Sequence, residues 1–255
     1  MLCVAYFGSL TFTDRNADER ERKVSVMKLV HLTERIWYSP SEERRDRPHL
    51  GYIRGDSWSM AVDAGHSDAH TREFYEAIQA EGLPLPQLTV LTQWHWDHTL
   101  GLHAIVGNSL ANARTNQYLR DFQGRIAREG TGFFFANDES IRQEYAGGRP
   151  VKVVPADMEF TGQRFFDAGN CPIRIFEAPS PHTDDSTFVE VPGEKVLFLG
   201  DASSGRFPDW KKDWRLCRQM ADALAPLDIK YFLHSHVPPL SRAELMEKLG
   251  VHEKG

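Results

Sequence analysis

Residues 88–98 read Leu-Thr-Val-Leu-Thr-Gln-Trp-His-Trp-Asp-His, and this stretch constrains the fold more than any other. Its first half is a continuous apolar run, the pattern of a strand buried on both faces. Its second half carries side chains with lone pairs or charge. Gln93 and His95 are two positions apart, so at an extended strand end their side chains point the same way. Asp97 and His98 follow at once, where a helix is expected to start near Asp97. Four potential ligands therefore converge from one strand–helix junction.

The flanking sequence supplies strands and helices in two similar halves. Residues 28–31, 34–38, 50–54 and 58–63 read as short strands separated by turn material, including the charged loop SEERRDRPH. Residues 68–81 place Phe74, Ala77 and Ile78 on one helical face, with Gly82 where a helix stop belongs. The region 108–150 reads as mostly helical and carries the aromatic run Phe133-Phe134-Phe135. Strands are expected at 151–155, 164–168, 172–178, 186–191 and 195–200. A helix at 211–225, a strand at 229–234 and a closing helix at 241–249 complete the chain. Two such βα halves suggest two sheets packed face to face with helices outside.

Composition narrows the function classes. Hydrophobic residues make up 41% and charged residues 26% of the 255, which is globular usage. The net charge of −6 gives no overall basic field for nucleic acid, and the clusters Arg44-Arg45 and Lys211-Lys212 are short. Cys3, Cys171 and Cys217 form no CxxC pair, which argues against a disulfide framework or a cysteine-based zinc site. No run reaches the ~18 apolar residues of a membrane span. Residues 1–26 lack a basic n-region and read as an N-terminal tail or extension, with a single domain over 27–255. A cytoplasmic location is expected.

Four further segments place a ligand-type residue at the end of an expected strand. These are Val62-Asp63-Ala64-Gly65, Pro181-His182-Thr183, Leu199-Gly200-Asp201 and Ser235-His236-Val237-Pro238. Together with residues 93–98, and in this order, they resemble the HxHxDH pattern and its companion motifs in the metallo-β-lactamase superfamily. Glutamine takes the place of the first histidine. The resemblance covers the chain from about Met27 onward and implies a four-layer αββα sandwich, with metals where strand ends gather. It implies one metal position at Gln93, His95 and His182, and another at Asp97, His98 and His236, with Asp201 bridging the two. Nitrogen and carboxylate donors favour zinc, one ion or two, with iron and manganese as alternatives. A water activated between the metals is the implied nucleophile, and Asp97 is the implied catalytic residue that orients it.

Neighbouring residues receive definite expectations. Asp63 should support the ligands through hydrogen bonds. Asp184 and Asp185 either orient His182 or serve its turn. His234 competes with His236 for the last ligand position, and the prolines after His236 favour the latter. His103 reads as structural, and His66 and His70 as surface residues near a helix start. Trp94 and Trp96 either pack beneath the motif or stack on substrate. Gln93 offers only an amide where an imidazole is usual, so its metal position should be the weaker one, and the side chain turning away is the alternative. The implied activity is hydrolysis of an ester, lactone, thioester or amide, a β-lactam included, on a small-molecule substrate. An iron-dependent redox member and a phosphodiesterase or nuclease are the alternatives.

Overall fold

The computed structural model describes residues 27–136 and 138–251, so the expected tail at 1–26, with Cys3, lies outside the described residues. Strands β1 (Val30–Thr33), β2 (Ile36–Tyr38), β3 (Gly51–Arg54), β4 (Ser59–Val62), β5 (Leu88–Val90), β6 (Asn108–Asn112) and β7 (Met158–Phe160) form a seven-stranded sheet in sequential order. Its first four strands are antiparallel, and β4 to β7 run parallel. Strands β8 (Gln163–Asp167), β9 (Pro172–Glu177), β10 (Thr187–Val191), β11 (Val196–Gly200) and β12 (Tyr231–His234) form a second sheet in the order β12-β11-β10-β9-β8. The helices are α1 (Asp68–Ala80), α2 (Trp96–Thr99), α3 (Ala113–Glu129), α4 (Gly132–Phe135), α5 (Glu139–Glu144), α6 (Trp214–Leu224) and α7 (Arg242–Lys248).

Side-chain alternation along the strands builds the layers. Met60, Val62, Val90 and Leu110 of the first sheet meet Ile173, Ile175, Val189, Val196 and Phe198 of the second in one buried cluster between the sheets. The opposite face of the second sheet, with Leu197, Leu199 and Phe232, packs on Cys217, Met220 and Leu224 of α6 and Leu245 of α7. Trp37, Tyr52 and Ala61 cover α1 through Phe74 and Ile78, while Leu91 and Ala111 pack on Leu119 and Phe122 of α3. Helices therefore cover both outer faces, giving the αββα sandwich that the motif pattern implied. The buried cysteines Cys171 and Cys217 are free thiols in these clusters. No helix among the described residues is long and apolar enough to cross a membrane.

Three expectations are corrected. The region 108–150 does not begin as helix, because residues 108–112 form β6, a strand paired on both edges. The β-branched run 151–155 is not a strand. Val153 instead packs into the outer cluster beside α3, and the sheet position is taken by Met158–Phe160. His66 and His70 are not at the surface, since both are fully buried. Ser67 caps α1 by accepting from the His70 backbone amide, His70 Nδ1 accepts from the His66 amide at 3.3 Å, and His66 Nδ1 lies 2.8 Å from the Arg45 carbonyl, so both imidazoles find partners inside the protein.

Candidate metal centre

The ends of β4, β5, β9, β11 and β12 bring the sequence-expected residues to one edge of the sandwich. Asp63 follows β4 in a left-handed conformation, φ 66°, which few non-glycine residues adopt. That turn aims its carboxylate across the sheet. Oδ1 accepts from the Thr92 amide at 2.7 Å, and Oδ2 lies 2.8 Å from His98 Nδ1. Gly200 makes the close approach of β11 possible, because a side chain there would meet Thr92 Oγ1 at 2.6 Å. Asp63 thus does the supporting work expected of it, leaving His98 Nε2 free to face the centre.

Four of the expected ligands form a tight group. Asp97, His98, Asp201 and His236 each offer one donor atom, all within 4.8 Å of one another. His98 Nε2 lies 3.0 Å from Asp201 Oδ2 and 3.1 Å from Asp97 Oδ2. His236 Nε2 lies 3.1 Å from Asp97 Oδ2 and 3.5 Å from Asp201 Oδ2. His234 does not join them. Its Nε2 meets Ser204 Oγ at 3.0 Å and its Nδ1 accepts from the His236 amide at 3.2 Å, so it braces the turn that presents His236.

The other three expected ligands gather by the same Asp201 oxygen, His95 through its contact with His182. His182 Nδ1 donates to the Gly205 carbonyl at 2.6 Å, which leaves its Nε2 as an acceptor 3.0 Å from His95 Nδ1 and 3.9 Å from Asp201 Oδ2. Gln93 is turned inward and buried, and its amide N–H donates to Asp201 Oδ2 at 3.0 Å. Asp184 and Asp185 do not touch His182. Asp185 accepts from Thr183 and Thr115 hydroxyls and anchors the turn, while Asp184 sits outside it with Arg114 and Tyr118. His103 bonds only to the Leu100 carbonyl, as a structural residue does.

Electrostatics single out the same place. Burial disfavours the charge on Asp97 and Asp201, yet His98 and His236 hold both carboxyls below the usual carboxylate range. Burial likewise opposes charge on His98, but Asp97, Asp63 and Asp201 outweigh it and raise that imidazole above its ordinary value. His95 goes the other way, down to about 3, through burial and the nearby His182. The protein alone thus resolves the field of two buried carboxylates by charging imidazoles, and a divalent cation would displace those protons. Asp201 meets the cluster through Oδ2, while its Oδ1 is buried with no hydrogen-bond partner, 3.7 Å from His234 Nδ1. Oxygen and imidazole nitrogen donors in this number suit zinc-type ions, so the residues fit a metal.

Sequence reasoning missed two residues that shape the surroundings. Asp46, in a left-handed turn after a short 3-10 segment, accepts from the Trp96 indole at 3.2 Å. Burial and Asp97 push its carboxyl up to about 7. Arg206 lines the cavity that opens onto His95 and His182, together with Trp94, Tyr118 and Phe207. Trp94 therefore faces the cleft, while Trp96 is buried against Phe134 and Phe207. Neither Asp46 nor Arg206 stands in a recognisable motif.

Comparison with known proteins agrees with this geometry. The profile of the metallo-β-lactamase superfamily matches residues 51–236. None of the curated proteins is similar enough in sequence to match the chain. Among solved structures, a metallo-β-lactamase from Pontibacter korlensis is 16% identical, with 88% of this chain and 98% of that one covered and a TM-score of 0.66. The DIM-1 metallo-β-lactamase is 19% identical over 88% of this chain and 96% of its own, with a TM-score of 0.64. A double mutant of the sec-alkyl sulfatase PisA1 is 13% identical, with 88% of this chain and 41% of that one covered and a TM-score of 0.66. At these identities the structural likeness is one of fold, and membership rests on the profile match across more than half of the sequence. The chain belongs to the metallo-β-lactamase superfamily of hydrolases.

Proposed function

We propose that this protein is a hydrolase built around one firmly held divalent ion, zinc by preference, at Asp97, His98, Asp201 and His236. A second, weaker position lies at Gln93, His95 and His182, with Asp201 shared. The substrate class is a small ester, lactone, thioester or amide, β-lactams included. The observation that carries this reading is the four-residue cluster with its orphaned Asp201 oxygen. A bound divalent ion supplies Lewis-acid activation of water and of the scissile carbonyl. The chain's own residues do the positioning. Asp63 fixes His98, the Gly205 carbonyl fixes His182, and His234 with Ser204 fixes the His236 turn. Asp97 is the residue assigned to orient the attacking water, since its Oδ2 stands between His98 and His236.

The test is metal analysis of the purified protein with a panel of lactone, thioester, phosphodiester and β-lactam substrates. His98→Ala and His236→Ala should each lose most bound metal and turnover. A His236→Ala variant that kept both, while His234→Ala lost them, would overturn the ligand assignment. Bound iron with oxygen consumption, and no hydrolysis, would overturn the reaction class.

Gln93 gives a separate expectation. Its amide donates to Asp201 and brings neither charge nor a basic nitrogen to the second position. Under chelator competition the native protein should therefore titrate with two unequal sites. Gln93→His should tighten the weaker one by about 10-fold, the scale on which changes around a metal shell act. Two equal sites, unmoved by the substitution, would show that residue 93 takes no part in binding metal.

A further inference from the structure

The loop between β2 and β3 carries the charged run Glu42-Glu43-Arg44-Arg45-Asp46-Arg47. Three of these residues are arginines, yet none of them pairs with Asp46. Arg44 Nε donates to Gln143 Oε1 at 2.7 Å. Arg45 donates to both carboxylate oxygens of Glu42, at 2.7 and 2.6 Å. Arg47 is taken by Glu144 and Glu73. Among the described residues Asp46 enters no ion pair, and its one side-chain bond is Oδ2 accepting from the Trp96 indole at 3.2 Å. Oδ1 bonds to nothing within the protein and is not sealed inside it, since the residue is only half-buried.

The place of this carboxylate is as telling as its lack of a partner. Trp96, which holds Oδ2, stands in the chain between His95 and Asp97. Asp97, His236 and Asp201 all act on the Asp46 charge, and burial together with Asp97 disfavours it. Of the four clustered donors only His236 is open to water, with its side chain 28% exposed, so the centre opens there. The backbone meanwhile fixes Asp46 at this rim. His66 Nδ1 faces two acceptors, the carbonyls of Arg45 and Asp46 at 2.8 and 3.1 Å, so it carries the proton and donates. Glu42 and Arg47 exchange backbone bonds at 2.8 and 3.0 Å, and the Asp46 amide donates to the Glu43 carbonyl at 3.0 Å. Asp46 itself is left-handed, φ 48°, a conformation that aspartate and asparagine tolerate better than most residues. A charge held rigidly beside a metal centre, with every nearby arginine engaged elsewhere, is left for a ligand.

We propose that Asp46 recognises a positively charged N–H donor, an ammonium or a guanidinium, on the substrate. The substrate is then an ester, lactone, thioester or amide with a cationic nitrogen near its scissile carbonyl. The carbonyl sits over Asp97, His98, Asp201 and His236, and the cation meets Oδ1 of Asp46. Such a bond is charge-assisted on both sides, which makes it one of the stronger kinds. The ligand supplies the positive partner that the three arginines do not. This rests on the hydrolytic reading of the metal centre. One charge-assisted bond at a half-buried site gives a discrimination of about tenfold in affinity.

The experiment is calorimetric titration of the zinc-loaded protein with guanidinoacetate, 3-guanidinopropionate and 4-guanidinobutyrate, each against the ureido acid of the same length. The carboxylate end engages the zinc in both series. Guanidinium and urea share one planar shape and are both poor zinc ligands, so their difference reports on charge alone. At the best length the native protein should bind the guanidino acid about tenfold more tightly than its ureido partner. The same comparison of 4-aminobutyrate with 4-hydroxybutyrate tells an ammonium from a guanidinium. Asp46→Asn should remove the margin. Asparagine keeps an acceptor for Trp96 and tolerates the left-handed turn, so the variant should fold. A margin absent from both series, or the same in native protein and Asp46→Asn, overturns the proposal. So does a variant that loses turnover of an uncharged ester while no margin exists, since the carboxyl would then act in the reaction itself. Ester turnover without a margin leaves the hydrolase standing and removes the cation site. An Asp46-dependent margin without turnover of any ester does the reverse.

Discussion

Arg47→Ala is expected to destabilise the protein by about 3–5 kcal/mol, the cost of breaking a buried ion pair by removing one partner. Arg47 is only 1% exposed. Its Nε and Nη2 bond to Glu144 at 2.7 and 2.9 Å, and its Nη1 bonds to Glu73 at 2.7 Å. The Ser67 hydroxyl also bonds to Glu144. These contacts tie the loop before β3 to α1 and α5, so one guanidinium satisfies carboxylates from two helices. Without it Glu144 stays buried with Ser67 and a more distant Arg45, 3.9 Å away, which cannot replace a bidentate pair. The loss is a large fraction of the 5–15 kcal/mol that keeps a typical domain folded. Urea unfolding of the native and variant proteins measures it. The double variant Arg47→Met with Glu144→Leu should recover most of the loss, because the one carboxylate then left without Arg47 is Glu73, which is partly exposed to water. A single variant within about 1 kcal/mol of native would show that the network is not under load.

The same network shows where sequence reading stops. The loop SEERRDRPH reads as charged turn material, which is what its exposed members Glu43 and Arg44 are. Arg47 is buried only because Glu144 meets it from 97 positions away, and no local pattern announces such a partner. Strand β6 is hidden for a related reason. Its sequence, Asn-Ser-Leu-Ala-Asn, has weak strand propensity, but β5 and β7 bond it on both edges, and Asp157 satisfies Ser109 while Glu177 satisfies Asn112. The clustered donor residues were legible because their chemistry does not depend on distant partners. A ligand must be a donor type, must sit at a strand end, and, when paired on one strand, must repeat at two. Residues 93–98 meet all three conditions by themselves. Gln93 was legible as a departure and as a side chain pointing the way of His95, whereas its bond to Asp201 was not, since that partner lies 108 positions away. Arg206 carries no motif, and only the assembled fold brings it to the cavity beside His95 and His182.

Asp97→Asn is expected to lower turnover by about 10²- to 10⁴-fold, the range that a group positioning a proton in the transition state contributes, while the protein stays folded. The substitution keeps volume and shape, so α2 should pack as before with Trp96, His98 and Thr99 buried around it. What it removes is charge at a single oxygen. Oδ2 of Asp97 lies 3.1 Å from both His98 Nε2 and His236 Nε2, and these imidazoles hold the carboxyl ionised against the cost of burial. A neutral amide is a poor donor to a divalent ion and cannot accept a proton from water, so metal affinity and chemistry should fall together. Two measurements separate these losses. Zinc titration gives the affinity, and turnover at saturating zinc gives the chemical step once the site is filled. If Asp97 only held the metal, saturating zinc would restore the native rate. If it orients the nucleophile as assigned, a loss of at least about 10²-fold persists at full occupancy. A folded Asp97→Asn protein with near-native turnover would remove the basis for the hydrolytic mechanism.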